Sequence, residues 1–164
     1  MITTDHRNGI GTITLNRPDK ANALTPEMLQ ALIDAVAQAR ARGDRALVLT
    51  IAALNGTLAG GAFGMALACD IRLAVPSARF FYPVMRLGYL PQPADPPRLR
   101  ALVGPARAAM ILMAGQKIDA DEALSWGLID RILPPKTLLD AAYQLAADAQ
   151  AADPAHVGGI KAMI

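Results

Sequence analysis

The residues best placed to do chemistry lie in one stretch, residues 51–70, IAALNGTLAGGAFGMALACD. It opens as an apolar strand, Ile51–Leu54, turns at Asn55-Gly56, and runs through Gly60-Gly61 into a small-residue segment that reads as a helix to Asp70. A strand, a Gly-rich turn and a helix in succession leave backbone N–H groups free at the helix start, where they can hold a developing anion. Gly60 and Gly61 lack Cβ, so a ligand can approach the backbone closely. The same glycines also suit close helix packing, together with Ala62, Gly64, Ala66 and Ala68, and spacing alone does not separate the two uses. A third reading is a membrane span, because no charged residue occurs from Ala46 to Cys69 and Gly56, Gly60 and Gly64 repeat at small-residue spacing. Thr50, Asn55, Thr57 and the strand–turn–helix pattern argue against a span.

Other reactive side chains are sparse. Cys69 is the single cysteine, which excludes an internal disulfide and fits a reducing compartment. It sits among Ala66, Leu67, Ala68 and Ile71 and reads as a buried, inert thiol. His6 and His156 lie near opposite ends, with no metal-ligand spacing.

The elements that must position this stretch follow from pattern. The 164 residues suffice for one domain with a real core. Hydrophobic content is 53%, much of it alanine, which points to small-residue helical packing. Net charge is +2 without a basic block and only 4% of residues are aromatic, so nucleic acid and anionic membrane surfaces are not indicated. The first residues, MITTDHRNG, lack the basic and apolar blocks of a signal peptide, and a cytoplasmic protein is expected.

Ile10–Leu15 is β-rich and reads as a strand, followed by a loop over residues 16–20. Thr25-Pro26-Glu27 starts a helix, with Leu29, Leu32, Ile33 and Val36 recurring at helical spacing to a stop by Gly43. RALVLT, residues 45–50, is a buried-strand pattern that abuts the next strand at Thr50-Ile51 with no turn. Parallel neighbours need a crossover of about a dozen residues, so either one long strand replaces two or a segment is missing there. Short strands follow at 71–74 and 79–82, then a loop over 87–94. Asp95 caps a helix that stops at Gly104, and Pro105 opens another to Gly115. Asp119 caps a helix to Trp126, residues 128–132 form a strand-like exit, and Thr137 caps a last helix over Leu138–Ala151. Asp153-Pro154 and Gly158-Gly159 end that pattern, and residues 160–164 read as the start of an unfinished element. Strands alternate with helices first and helices dominate later, so an α/β domain with a helical C-terminal part is expected.

Four segments in order, GIGTITLNRPDKANAL (9–24), residues 51–70, RLGYLP…RLRALVG (86–104) and MAGQKIDADEALSWGLI (113–129), resemble the crotonase family, also called the enoyl-CoA hydratase/isomerase superfamily. The resemblance covers most of the chain. It implies an α/β superhelix of ββα units, an acyl-CoA thioester substrate with no separate cofactor, and a homotrimer or dimer of trimers. Residues 1–133 would form the core, with the missing segment between 50 and 51, and 134–164 would begin a helical trimerisation part that is cut short.

By the same resemblance, Gly61 supplies an oxyanion N–H to a thioester enolate and Gly60 shapes the turn before it. Lys20, Ala21, Ala23 and Leu24 lie along the CoA moiety, although Lys20 also reads as an ordinary solvated lysine. The second oxyanion donor of the family falls in the segment lacking at Thr50-Ile51. The two hydratase glutamates fall at Gly64 and Val84, neither of which transfers protons. The Gly-rich turn after the RLG-x-x-P motif is replaced by residues 92–97, QPADPP. Asp95 then becomes the carboxylate of interest, a base or nucleophile set against its reading as a plain helix cap. Tyr82 and Tyr89 flank the same region, where a phenol could donate a hydrogen bond to a carbonyl, or serve as half-buried packing residues. Two functions remain open: an acyl-CoA-processing enzyme working through an enolate, or a non-catalytic acyl-CoA-binding or scaffold relative.

Overall fold

A computed structural model describes residues 2–17, 20, 22–41 and 50–164. The helix stop at Gly43, the RALVLT strand before Thr50 and Ala21 lie outside the described residues. Strands β1 (Ile2–Arg7) and β2 (Ile10–Leu15) form an antiparallel hairpin, with Ile2 opposite Leu15. Its turn, Asn8-Gly9, has positive φ at both residues, a conformation that asparagine and glycine tolerate. β1 was not expected from the sequence, since it is mostly polar and exposed.

Helix α1 (Pro26–Ala41) starts as its sequence predicts, with the Met28 N–H donating to Thr25 Oγ1 at 3.3 Å. Its buried stripe is Met28, Leu32, Ala35 and Ala39. Leu29, Ile33 and Val36, expected on the core face, are instead 47%, 63% and 37% exposed. Two apolar stripes compete on this helix, and the one with the smaller side chains packs inward.

The centre is built from repeated ββα units. β3 (Ile51–Leu54) and β4 (Thr57–Ala59) are joined by Asn55-Gly56 and followed by α2 (Gly61–Leu67). β5 (Ile71–Ala74) and β6 (Arg79–Phe81) follow, then α3 (Val84–Leu87). β5 pairs in parallel with β3, and β6 pairs in parallel with β4. Each first strand therefore joins one sheet and each second strand joins another, which winds the chain into a superhelix. β7 (Ile118–Asp119) completes the second sheet antiparallel to β6, and β8 (Arg131–Ile132) completes the first, parallel to β5. β4 and α3 are not evident in the sequence. They are only three and four residues long, too short for a periodicity to register.

The core lies between these layers, where Phe63, Phe80, Leu73, Leu99, Ile111, Ile118, Leu128 and Ile129 are fully buried. Phe63 stacks tilted on Phe80 and Tyr82, with ring centroids 6.2 and 6.0 Å apart, and so locks α2 to the end of β6. Helix α4 (Asp95–Leu112) is interrupted at Gly104, whose φ of 80° and ψ of 168° separate the two helical runs that the Gly104-Pro105 pair predicts. Helix α5 (Ala120–Ser125) carries a capping box, Glu122 N–H to Asp119 at 2.9 Å and Asp119 N–H to Glu122 at 3.2 Å.

Helix α6 (Leu138–Ala151) returns over the first strands, where Tyr143 Oη lies 2.8 Å from Thr12 Oγ1. Thr137 precedes α6 but does not cap it through its side chain. Its hydroxyl donates to the Pro134 carbonyl instead. The chain then forms a further helix, α7 (Pro154–Lys161), where the sequence suggested an end. Asp153 caps it by accepting from Ala155 and His156, and Gly158 and Gly159 are absorbed into its turns. No helix among the described residues is long and apolar enough to cross a membrane, because the uncharged run divides into β3, β4 and α2.

Two polar networks tie the units together. Arg72 is buried, and its guanidinium donates to the carbonyls of Leu128, Cys69 and Asp70, with Asp130 3.5 Å away. Asp70 accepts from the Thr50 N–H at 2.8 Å and hydroxyl at 2.9 Å, and from Lys161 of α7 at 2.7 Å. Replacing Arg72 by alanine strands these carbonyls and should cost about 3–5 kcal/mol in urea unfolding. Burial pushes the Asp70 carboxyl up, but hydrogen bonds from Lys161 and Thr50 outweigh it and hold the group below its usual range. The sign follows: the stabilisation is full above about pH 4 and is lost as pH falls through the lower folded value. Asp70→Asn should therefore flatten the acid side of a stability-against-pH curve measured by thermal melting.

Candidate functional site

The site is assembled at the start of α2. Gly60 has φ 54° and ψ −127°, a backbone conformation that side chains resist, and its N–H donates to the Phe81 carbonyl at 3.3 Å. The chain thereby leaves β4, swings under β6 and begins α2 at Gly61. The Gly64 N–H is taken by the Gly60 carbonyl at 3.2 Å, while helix geometry gives the Gly61 N–H no acceptor within α2.

The loop before α1 reaches this point. The Arg17 carbonyl accepts from the N–H groups of Lys20 and Asn22, the Arg17 N–H donates to Asn22 Oδ1 at 2.8 Å, and the Arg17 guanidinium donates to the Ala23 carbonyl at 3.0 Å. Asn22 sits at φ 55°, which an asparagine tolerates better than most residues. The loop delivers Leu24 onto the start of α2: a Cβ on Gly61 would lie 3.2 Å from Leu24 Cδ1. Leu24, Gly60 and Gly61 are thus brought together. Lys20 and Ala23 are exposed on the same loop, and Ala21 lies outside the described residues.

Asp95 arrives from the other side. It is the first residue of α4 and is 4% exposed. The sequence allowed an ordinary cap here, but Ala94 is the N-cap and Asp95 is already the first helical residue. Pro96 and Pro97 have no N–H to offer, and the next one, that of Arg98, donates to the Ala94 carbonyl at 3.4 Å. The carboxylate instead accepts from the Tyr82 hydroxyl at 2.7 Å through Oδ2 and lies against Gly64. A Cβ built on Gly64 would be 2.1 Å from Asp95 Oδ2, 2.7 Å from Cγ and 2.8 Å from Oδ1. The ion pairs among the described residues leave Asp95 without a cation.

Burial pushes the Tyr82 phenol well above its ordinary range, and the hydrogen bond to Asp95 and its charge act in the same direction. Tyr82 therefore stays a donor across neutral pH. Tyr89, the other tyrosine of the region, is 52% exposed and does not join the pair. Val84 is buried at the start of α3. Cys69 is half-buried, its thiol pushed up by burial, with Sγ 3.5 Å from the Met65 carbonyl. Among the described residues no cluster of His, Cys, Asp and Glu is arranged to hold a metal.

Sequence reasoning missed the Tyr82–Asp95 bond and the contact of Asp95 with Gly64. A signal was present: Gly64 is a glycine inside a helix with no turn to explain it, and the two prolines after Asp95 leave it a single nearby N–H, that of Arg98, to cap.

Chemically, the site offers a helix-start N–H at Gly61 and, packed against Gly64 three residues further along α2, the buried Asp95 carboxylate of α4. Residues 45–164 match the enoyl-CoA hydratase/isomerase family model. Among similar curated proteins, a carnitinyl-CoA dehydratase of Citrobacter koseri is 37% identical over 111 residues, 68% of this chain and 42% of that protein. A short-chain-enoyl-CoA hydratase of Clostridium acetobutylicum is 41% identical over 96 residues, 58% of this chain and 37% of that protein. The chain thus spans about two fifths of the length of these relatives. Among solved structures, an enoyl-CoA hydratase from Mycobacterium avium superposes with a TM-score of 0.90 at 27% identity, over 98% of this chain and 85% of that one. The ββα superhelix and these matches lead to one conclusion: the chain belongs to the enoyl-CoA hydratase/isomerase, or crotonase, superfamily.

Proposed function

We propose that the protein processes an acyl-CoA thioester through an enolate, with the Gly61 N–H as one oxyanion donor and Asp95 as the carboxylate that moves the proton. The observation that carries this reading is the placement of the buried Asp95 carboxylate against α2 at Gly64. Three residues of helix separate Gly64 from Gly61, about 4.5 Å along the axis. A thioester whose carbonyl oxygen lies at Gly61 would then hold its α-carbon near the carboxylate.

In the proposed step, an Asp95 oxygen takes the α-proton. The C–H electron pair becomes the enolate double bond, and the carbonyl pair moves onto oxygen, where the Gly61 N–H accepts the charge. Return of the proton from Asp95 to the α-carbon or a conjugated carbon completes the cycle. Leu24 would cover the thioester from the loop side, and Lys20, Ala21, Ala23 and Gly60 would line the path of the CoA moiety. CoA enters with the substrate, so no separate cofactor is required. The family architecture supports a homotrimer or a dimer of trimers, acting in the cytoplasm.

The non-catalytic alternative draws on Gly64 and Val84, which remove both hydratase carboxylates. A buried carboxylate without a cation is costly to fold, and such groups concentrate where a protein uses them. That favours the catalytic reading.

Exchange of the α-protons of butyryl-CoA in D2O, followed by mass spectrometry, reports enolate formation whatever the full reaction is. The protein should catalyse this exchange. Gly61→Pro, which removes one N–H at a position where helices tolerate proline, should slow it about 100-fold or more. Gly61→Ala keeps the N–H and displaces only the flexible end of Leu24, so it should retain most of the rate. Tight binding of butyryl-CoA with no exchange would favour the non-catalytic reading, and equal rates in Gly61→Pro would remove Gly61 from the mechanism.

A further inference from the structure

We infer that Gly64 and Tyr82 are positioning residues for the Asp95 carboxylate: Gly64 is the vacancy that admits it to the face of α2, and Tyr82 fixes its orientation there. This rests on the enolate reading above and names how the site obtains its base.

The case begins with the glycine. Gly64 lies inside α2 with no positive φ, so the backbone does not require glycine there. Glycine inside a helix costs about 1 kcal/mol relative to alanine. The space requires it instead, because a Cβ would fall 2.1 Å from Asp95 Oδ2 and within 2.8 Å of Oδ1. The carboxylate head therefore occupies the volume that any side chain at position 64 would fill. A group that in the sequence stands 31 residues away reaches the site from α4 instead of from α2 itself.

The second part of the case is the orientation. Pro96 and Pro97 have no N–H, and that of Arg98 goes to the Ala94 carbonyl at 3.4 Å, so the carboxylate is not turned back onto its own helix. Tyr82, buried and held by Phe63, then donates to Oδ2 at 2.7 Å. Oδ1 lies beside the same Gly64 face, 2.8 Å from where a Cβ would be, and is the oxygen left to take a proton. Tyr82 keeps its own proton throughout, since it remains a donor at neutral pH. Among the described residues, Tyr89 in the loop after α3 is the other ionisable group whose charge acts on Tyr82, and α2, whose sequence is GAFGMAL, carries none.

The test uses the butyryl-CoA exchange in D2O with the full chain, run over a range of butyryl-CoA concentrations so that KM and maximal rate are read separately. Asp95→Asn should lose at least 100-fold in rate. Gly64→Ala should lose at least 10-fold and also lower the melting temperature, because its Cβ evicts the carboxylate. The double variant Gly64→Ala/Asp95→Ala, in which that clash is gone, should recover the melting temperature but not the exchange. Tyr82→Phe should keep the KM for butyryl-CoA and the melting temperature close to wild type while the maximal exchange rate falls at least 10-fold, because the hydroxyl that orients the carboxylate has been removed. Wild-type exchange with unchanged rates in Asp95→Asn, Gly64→Ala or Tyr82→Phe overturns the inference. Absence of exchange in the wild type would instead overturn the enolate reading on which it rests.

Discussion

A carboxylate buried with no cation beside it among the described residues is the constraint around which this structure is arranged. Asp95 is nearly inaccessible, and the Tyr82 hydroxyl donates to it. Such a group is tolerated only where the surroundings make room and supply a hydrogen bond. The room comes from glycine at position 64 of α2, and the hydrogen bond comes from the residue that follows β6. The aromatic stack of Phe63 on Phe80 and Tyr82 holds both suppliers in place. The two ladders beneath, β3 with β5 and β4 with β6, set where α2 and Tyr82 stand relative to each other.

Much of the fold was legible because its signals are local. Thr25-Pro26 marked the start of α1, Asp119 marked the start of α5, and Gly104-Pro105 marked the break in α4. The glycine pair at 60–61 marked the turn into α2. What was not legible depended on tertiary choices. Which of two apolar stripes of α1 faces the core is decided by what packs against it, and the helix alone carries both. β4 and α3 are held by ladder bonds and stacking rather than by their own propensity. α7 forms despite Gly158-Gly159, with its Asp153 cap and the Lys161 contact to Asp70.

The site was legible in its backbone part and obscured in its side-chain part. Gly60, Gly61 and Leu24 were identifiable from the order of motifs, and they do meet. Asp95 was identifiable as a carboxylate at the right helix, but its partner and its contact with Gly64 follow from a three-dimensional approach across 31 residues of sequence. Read one at a time, glycine at 64 is a loss and aspartate at 95 is a cap. Read together in space, the glycine and the aspartate are one feature. The curated relatives this chain resembles are named as dehydratases and hydratases, and the chain shares the architecture of a solved enoyl-CoA hydratase.

The most direct measurement is a crystal structure of the protein with a slowly reacting acyl-CoA thioester analogue bound. The account predicts the thioester oxygen within about 3 Å of the Gly61 nitrogen and the α-carbon about 3–3.5 Å from Asp95 Oδ1, with Tyr82 still on Oδ2. An acyl group bound with its α-carbon remote from Asp95, or a thioester oxygen facing away from Gly61, would contradict it.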